Sequence, residues 1–219
     1  MPIAQKYLAD FEPEMTYHVY NRANGKEQLF RNHEDYLIFL QKFKFYLSPF
    51  LDVYCHILIP NHFHFLVKLK SEEVIKLHLN NLLHKAPFER KYLEGLISYE
   101  QLMELEFKRF FISYSMGFNR RYGRKGSLLC RQFRRLKIES DSYFTQVVVY
   151  IHANAVKHNL VSDFTTYPWS SWSELMKDNC TGLLKDDLIK WFGSMEKLIQ
   201  IHFDMVEYYY SSEVSIEDD

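Results

Sequence analysis

The sequence predicts an α+β fold, a ferredoxin-like (split βαβ) sandwich whose antiparallel sheet carries helices on one face, followed by a helical C-terminal extension. Three observations carry that prediction. Strand-type and helix-type patterns alternate as β-α-β-β-α-β-α from Thr16 to about Asn159. Two runs of strand formers, Leu51 to Ile59 and His62 to Leu69, meet at Pro60-Asn61, the pattern of an antiparallel hairpin. A helical repeat separates the first strand from that hairpin, as a crossover requires.

Each element has a local cause. Thr16-Tyr17-His18-Val19-Tyr20-Asn21 is β-branched and aromatic and reads as the opening strand; Asn24-Gly25 behind it is a turn signal. Tyr36, Leu37, Leu40, Phe43 and Leu47 recur at helical spacing between His33 and Leu47. Glu72 to His84 is helical, with Pro87 as an interruption, and residues 85–101 have no clear signature and read as an insertion. Leu102 to Tyr122 forms a helix by pattern, stopped by Gly123 and Gly126. Phe133 to Glu139 is a short strand, and Ser140-Asp141 caps a helix running to about Asn159. Tyr167 to Trp172 is a loop, and short helices follow near Asp186 to Phe192 and Ser194 to Phe203.

At 219 residues the chain holds one main domain, residues 1–173, with residues 174–219 as its extension. Seven Gly and six Pro exclude collagen-like and Pro/Gly-rich disordered classes, while aromatics reach 17%. The three widely spaced cysteines form neither a zinc pattern nor a disulfide framework, which fits a reducing compartment. No apolar run is long enough for a membrane span, and the first residues lack the build of a signal peptide, so a cytoplasmic location is expected.

The net charge of -1 conceals a strong asymmetry. Phe107 to Lys137 carries ten Lys/Arg and no Asp/Glu, leaving 17 basic against 28 acidic side chains elsewhere. The final residues, from Asp204, hold six acidic side chains and no basic one. A concentrated basic stretch on an acidic chain is the footprint of a polyanion site, with a solvated helix face as the alternative.

Two constellations could do chemistry. In His62-Phe63-His64, strand alternation turns both imidazoles to one face, about 7 Å apart along the strand, where they can share a divalent metal. The plain alternative is two exposed histidines. In Tyr150-Ile151-His152-Ala153-Asn154, helical geometry puts Tyr150 and Asn154 on one face, a turn apart. Were that helix to cross the face bearing His62 and His64, an oxygen nucleophile would meet a Lewis-acid site suited to phosphoryl transfer. A core role for Tyr150 is equally compatible with spacing, since Tyr114, Tyr122 and Tyr143 are also at hand.

These residues carry a resemblance. Tyr17 to Arg22 and Pro60 to Val67 resemble the opening strand and the HUH motif (His, hydrophobic, His) of single-tyrosine transposases. Phe118 to Gly126, Tyr150 to Lys157 and Tyr167 to Ser171 resemble, in order, that family's FNRRYGRxG segment, its YIxxNPVR helix and its YxWSS tail. In pattern the chain is similar to the REP-associated tyrosine transposases, over about residues 15–173.

The resemblance implies a metal-dependent transposase-like strand-transferase on DNA. It makes Tyr150 the nucleophile that attacks single-stranded DNA, leaving a 5′-phosphotyrosine link and a 3′-OH available for religation. It makes His62, His64 and Asn154 ligands of Mg²⁺ or Mn²⁺, with no further small-molecule cofactor. The DNA partner would be a hairpin with an adjoining single strand, in a bacterial, nucleoid-associated setting, with a homodimer as one assembly known in the family. Arg120, Arg121, Arg124, Lys125, Arg131, Arg134 and Arg135 would neutralise phosphates, and Tyr122 would stack on a base or pack in the core. Ala155 replaces the family's Pro, and the segment 85–101 exceeds its spacing. His18 and His56 read as structural. Two other readings compete: a DNA-hairpin-binding protein without chemistry, and an RNA-binding sheet, against which the absence of an RNP-type stretch speaks.

Overall fold

A computed structural model describes residues 7–180 and 182–211, with side chains to residue 206. Beyond Asp204, the acidic tail therefore lies outside the described side chains. The elements are β1 (Thr16–Arg22), α1 (His33–Leu47), β2 (Leu51–Ile59), β3 (His62–Leu69), α2 (Glu72–Asn81), α3 (Pro87–Leu93), α4 (Tyr99–Arg121), β4 (Arg134–Lys137), α5 (Asp141–Lys157), α6 (Trp172–Leu175), α7 (Lys185–Phe192) and α8 (Met195–Ser211). The sheet runs β2-β3-β1-β4 with every neighbouring pair antiparallel. Strand β3 thus inserts between β1 and β2, which is the split βαβ arrangement predicted.

The expectation of helices on one face needs correction. Helices α1 and α4 cover the face formed by Tyr17, Val19, Phe63, Phe65 and Val67. Helix α5 covers the opposite face, against Ile57, Ile59 and Leu66, and α7 and α8 pack behind it. The cause lies in β1 and β3, which present rings or aliphatic groups on both faces and so leave neither one to water. Sandwiched this way, α5 is buried at every position from Val147 to Val156.

The first core accounts for much of the aromatic content. Phe43 stacks on Phe65 at 4.1 Å, and Phe39 meets Phe63 at 5.0 Å and the edge of Tyr114 at 4.9 Å. Such pairs stabilise beyond their buried area by about 1 kcal/mol each. The buried stripe of α1 is Tyr36, Phe39, Phe43 and Leu47, with Leu37 left exposed.

Several boundaries shift for local reasons. Helix α4 begins at Tyr99 because Ser98 and Gln101 form a reciprocal capping box. Pro87 opens α3 as its first residue instead of ending a helix, and α2 stops at Asn81, where Leu82 turns extended. The stretch 85–101 is therefore a short helix and a cap, and α8 continues past Phe203 to Ser211. Both sheet edges are occupied. Along β2, Leu58 N–H donates to Trp169 O, Ser171 N–H to His56 O and Leu184 N–H to Val53 O. Along β4, Ala9 N–H donates to Arg135 O.

Helix α3 docks on α4 through a buried carboxyl pair. Arg109 Nη1 lies 2.8 Å from Glu89 and 3.7 Å from Glu106. Burial, with Glu89 alongside, pushes the Glu106 pKa up to about 8. The folded chain then holds a proton that the unfolded chain releases near its ordinary carboxyl pKa, so stability falls as pH rises from about 4.5 to 8. Glu106→Gln keeps the shape and removes that liability. Its melting temperature is expected to exceed wild type at pH 8 by a few degrees, about 1 kcal/mol, with the gap closing near pH 4.5. An equal gap at both values would contradict the assignment.

Candidate active site

Strand pairing brings the predicted residues to one place. In the β1–β3 register Arg22 lies opposite His62, Tyr20 opposite His64 and His18 opposite Leu66. All six therefore share the face that α5 covers. Tyr150, Asn154 and His158 follow one another at four-residue spacing, forming a stripe along α5 toward that face. His62 Nε2 lies 3.2 Å from Asn154 Oδ1, and the His64 ring centroid is 5.8 Å from that of Tyr150, nearly edge-on at 87°. These contacts all join described residues of one chain. His62 and His64 are 7% and 0% exposed, which overturns the alternative of two solvent-facing histidines.

The donor geometry suits a small cation. Each imidazole has Nδ1 engaged: His62 with Asn61 Oδ1 at 2.9 Å, His64 with His18 Nε2 at 2.9 Å. With Nδ1–H of His62 donated to Asn61, its Nε2 lone pair faces the Asn154 carbonyl oxygen. Two acceptors in contact are unfavourable unless a proton or a cation stands between them. Adjacent ligands of an octahedral ion with bonds of about 2.1 Å are about 3 Å apart, close to the separation seen. The amide Nδ2 of Asn154 is buried and has no hydrogen-bond partner among the described residues. No group of three His, Cys, Asp or Glu among the described residues is arranged for a metal. The candidate set thus consists of two imidazoles and the amide of Asn154.

Neither the family models nor the curated proteins include a match to this chain. One solved structure is similar. It is that of a REP-associated tyrosine transposase bound to a REP hairpin, 15% identical over 75% of this chain and 81% of that one, with a TM-score of 0.48. So distant a likeness assigns no role to any residue here, and the chemistry rests on the geometry of the chain itself.

Some site residues were not singled out from the sequence. Tyr20, 4% exposed, stacks on His64 at 5.3 Å and on His18 at 4.8 Å. Lys157 Nζ sits 5.1 Å from the Tyr150 ring centroid, and the exposed His158 meets the edge of His62 at 4.8 Å. The signal for Tyr20 was its strand parity with His18, and for His158 its place one turn beyond Asn154. Tyr150 itself is 1% exposed, so a macromolecular substrate reaches its hydroxyl only when the covering side chains move.

The basic segment divides by where its chain runs. Arg134 lies opposite Tyr20 and shares the site face, with its guanidinium 5.8 Å from the Tyr20 ring centroid. Arg131 follows Cys130, whose N–H donates to Arg22 O at the site's edge. Arg120, Lys125 and Arg131 are exposed and form no ion pair among the described residues. Arg135 is on the other face, where it is buried, bound to Glu104 at 2.6 Å and set over Phe11 and Phe133. Its place among the phosphate contacts is therefore corrected: the guanidinium is already neutralised within the fold. Arg121 pairs with Asp35 at 3.0 Å and Arg124 with Glu27 at 3.3 Å. Tyr122 donates its hydroxyl to Asp35 at 2.7 Å while Arg31 covers its ring at 4.6 Å, so that face is not open to a base.

Proposed function

We propose that the chain is a DNA strand-transfer enzyme in which Tyr150 attacks a phosphodiester of single-stranded DNA. The observation that carries this reading is the convergence of Tyr150 and Asn154 on α5 with His62 and His64 on β3. The phenol oxygen of Tyr150 forms the new P–O bond, the bond to the 3′ oxygen breaks, and the phenol proton passes to solvent as the 3′ oxygen gains one. The DNA remains attached through a 5′-phosphotyrosine, so the freed 3′-OH can reverse the exchange without ATP. His62, His64 and Asn154 would hold Mn²⁺ or Mg²⁺, which supplies Lewis-acid stabilisation of charge on the phosphate. Imidazole donors favour Mn²⁺ of the two. Arg22 and Arg134 lie on the same sheet face and would position the strand.

The test is a denaturing gel of the protein with labelled single strands drawn from hairpin-bearing DNA. A protein-linked band that needs Mn²⁺ or Mg²⁺ and disappears with EDTA or in His62→Ala supports the proposal. Hairpin binding without any band, over both strands and both metals, favours a binding-only protein; the deep burial of Tyr150 is the feature that would explain it.

Strand parity gives a second expectation. Arg134→Ala should weaken single-stranded DNA binding by about tenfold at low salt and flatten its salt dependence by roughly one ion. Arg135→Ala should instead lower stability by about 1–2 kcal/mol, through lost packing over Phe11 and Phe133 and the lost bond to Ala9 O, while the partly exposed Glu104 and Glu100 stay solvated. Fluorescence anisotropy against salt, beside urea unfolding, separates the two. Equal effects of both variants on DNA affinity would refute the division.

A further inference from the structure

We infer that His18 is a positioning residue that holds His64 in the one tautomer able to bind a metal. Resting on the metal reading above, this inference starts from a fully buried imidazole pair, with His18 Nε2 and His64 Nδ1 2.9 Å apart and both residues 0% exposed. Such a contact contains one proton. If His64 Nδ1 carries it, His64 Nε2 presents a lone pair to the site. If His18 Nε2 carries it, His64 Nε2 bears hydrogen and cannot ligate.

The neighbouring ligand is held in the same way, by an amide oxygen at Nδ1. His62 Nδ1 meets the Asn61 side-chain oxygen at 2.9 Å, and its Nε2 points to Asn154. Both imidazoles of the His-Phe-His strand are therefore gripped at Nδ1 from outside the site and turn Nε2 inward. The His18 ring is itself fixed, stacked on Tyr20 at 4.8 Å and edge-on to Tyr150 at 6.3 Å. Partners of this kind set ring orientation and basicity of metal-binding histidines, and their loss typically lowers metal affinity by about 10–100-fold.

The test uses the full chain without DNA. Mn²⁺ binding is titrated by calorimetry or by the EPR signal of free Mn²⁺, and nitrogen-15 NMR of the imidazoles reads the His64 tautomer in metal-free protein. Wild type is expected to hold the proton at His64 Nδ1. His18→Phe keeps a ring but no acceptor and should weaken Mn²⁺ binding by about 10–100-fold, with the proton moving toward Nε2. His18→Gln restores an acceptor and should recover affinity to within about threefold, which a purely space-filling role would not produce. Unchanged Mn²⁺ affinity in folded His18→Phe, or a wild-type His64 protonated at Nε2, would overturn the inference. Absence of Mn²⁺ binding in wild type, with the tautomer as expected, would instead count against the metal in the proposed function and leave the positioning of His64 standing.

Discussion

Tyr150→Phe is expected to lower formation of the protein–DNA adduct by at least about a thousandfold while leaving the fold intact. Removing a covalent nucleophile forfeits the whole route, and what remains is positioning alone. The phenyl ring of the variant keeps its contacts with His64 and His18, so stability should change by no more than about 1 kcal/mol. The informative comparison is Tyr20→Phe, because two phenols flank His64. Tyr20 stacks flat against that imidazole at 26°, whereas Tyr150 meets it edge-on at 87° and shares the helix stripe of Asn154. Adduct retained in Tyr20→Phe and lost in Tyr150→Phe identifies the attacking oxygen. The reverse pattern would assign it to Tyr20, and retention in both would move attention to Tyr143.

The second large effect is on stability in acid. His152 Nδ1 lies 2.9 Å from His202 Nε2, and its Nε2 lies 3.0 Å from Ser171 Oγ; His202 Nδ1–H donates to Leu198 O at 2.7 Å. The last bond fixes every proton in the chain: His202 Nε2 accepts, His152 Nδ1 donates, and His152 Nε2 accepts from the serine. Burial keeps both imidazoles neutral, and in that state the bond to Leu198 O selects this proton arrangement. Burial lowers the His202 pKa to about 4, does the same to His56, and pushes His152 well below its ordinary value with His202 adding to the effect. In the unfolded chain all three take up protons below about 6.5. Between that pH and about 4 the unfolded state binds more protons, so stability rises with pH there and is lost as pH falls. His56 and His202 contribute on the order of 3 kcal/mol each across that window. Glu106 acts in the opposite direction over part of the range, so the clean experiment is urea unfolding of Glu106→Gln at pH 7, 6, 5 and 4.5. A level profile would refute the neutral, buried state of these histidines.

What the sequence revealed follows from what local pattern can encode. The sheet order follows from the succession of strand and helix patterns, the hairpin from the turn at Pro60-Asn61, and the shared face of His62 and His64 from period-two alternation, all of them legible along the chain. The pairing of Tyr150 with Asn154 depends on a four-residue step, equally local. The His18–His64 contact depends on the β1–β3 register, and His18 consequently read as structural. Arg134 and Arg135 are neighbours with the same charge, and only the pairing of β4 with β1 separates a site-facing guanidinium from a buried one. Pro87 read as a helix breaker because its effect differs between a first turn and an interior, and composition does not say which applies.

The satisfied edges of the sheet bear on how copies of this chain can meet. Along β2 the segment around Trp169 to Ser171 consumes outward N–H and C=O groups, the Tyr167 hydroxyl caps Leu58 O, and β4 is only four residues long. An incoming strand finds little backbone to template on, so continuous cross-chain sheets and the aggregates that grow from them are disfavoured by construction. A pair of copies joined by strand-to-strand pairing at these edges is disfavoured for the same reason, which leaves the helices and side-chain faces as the candidate surfaces for self-association.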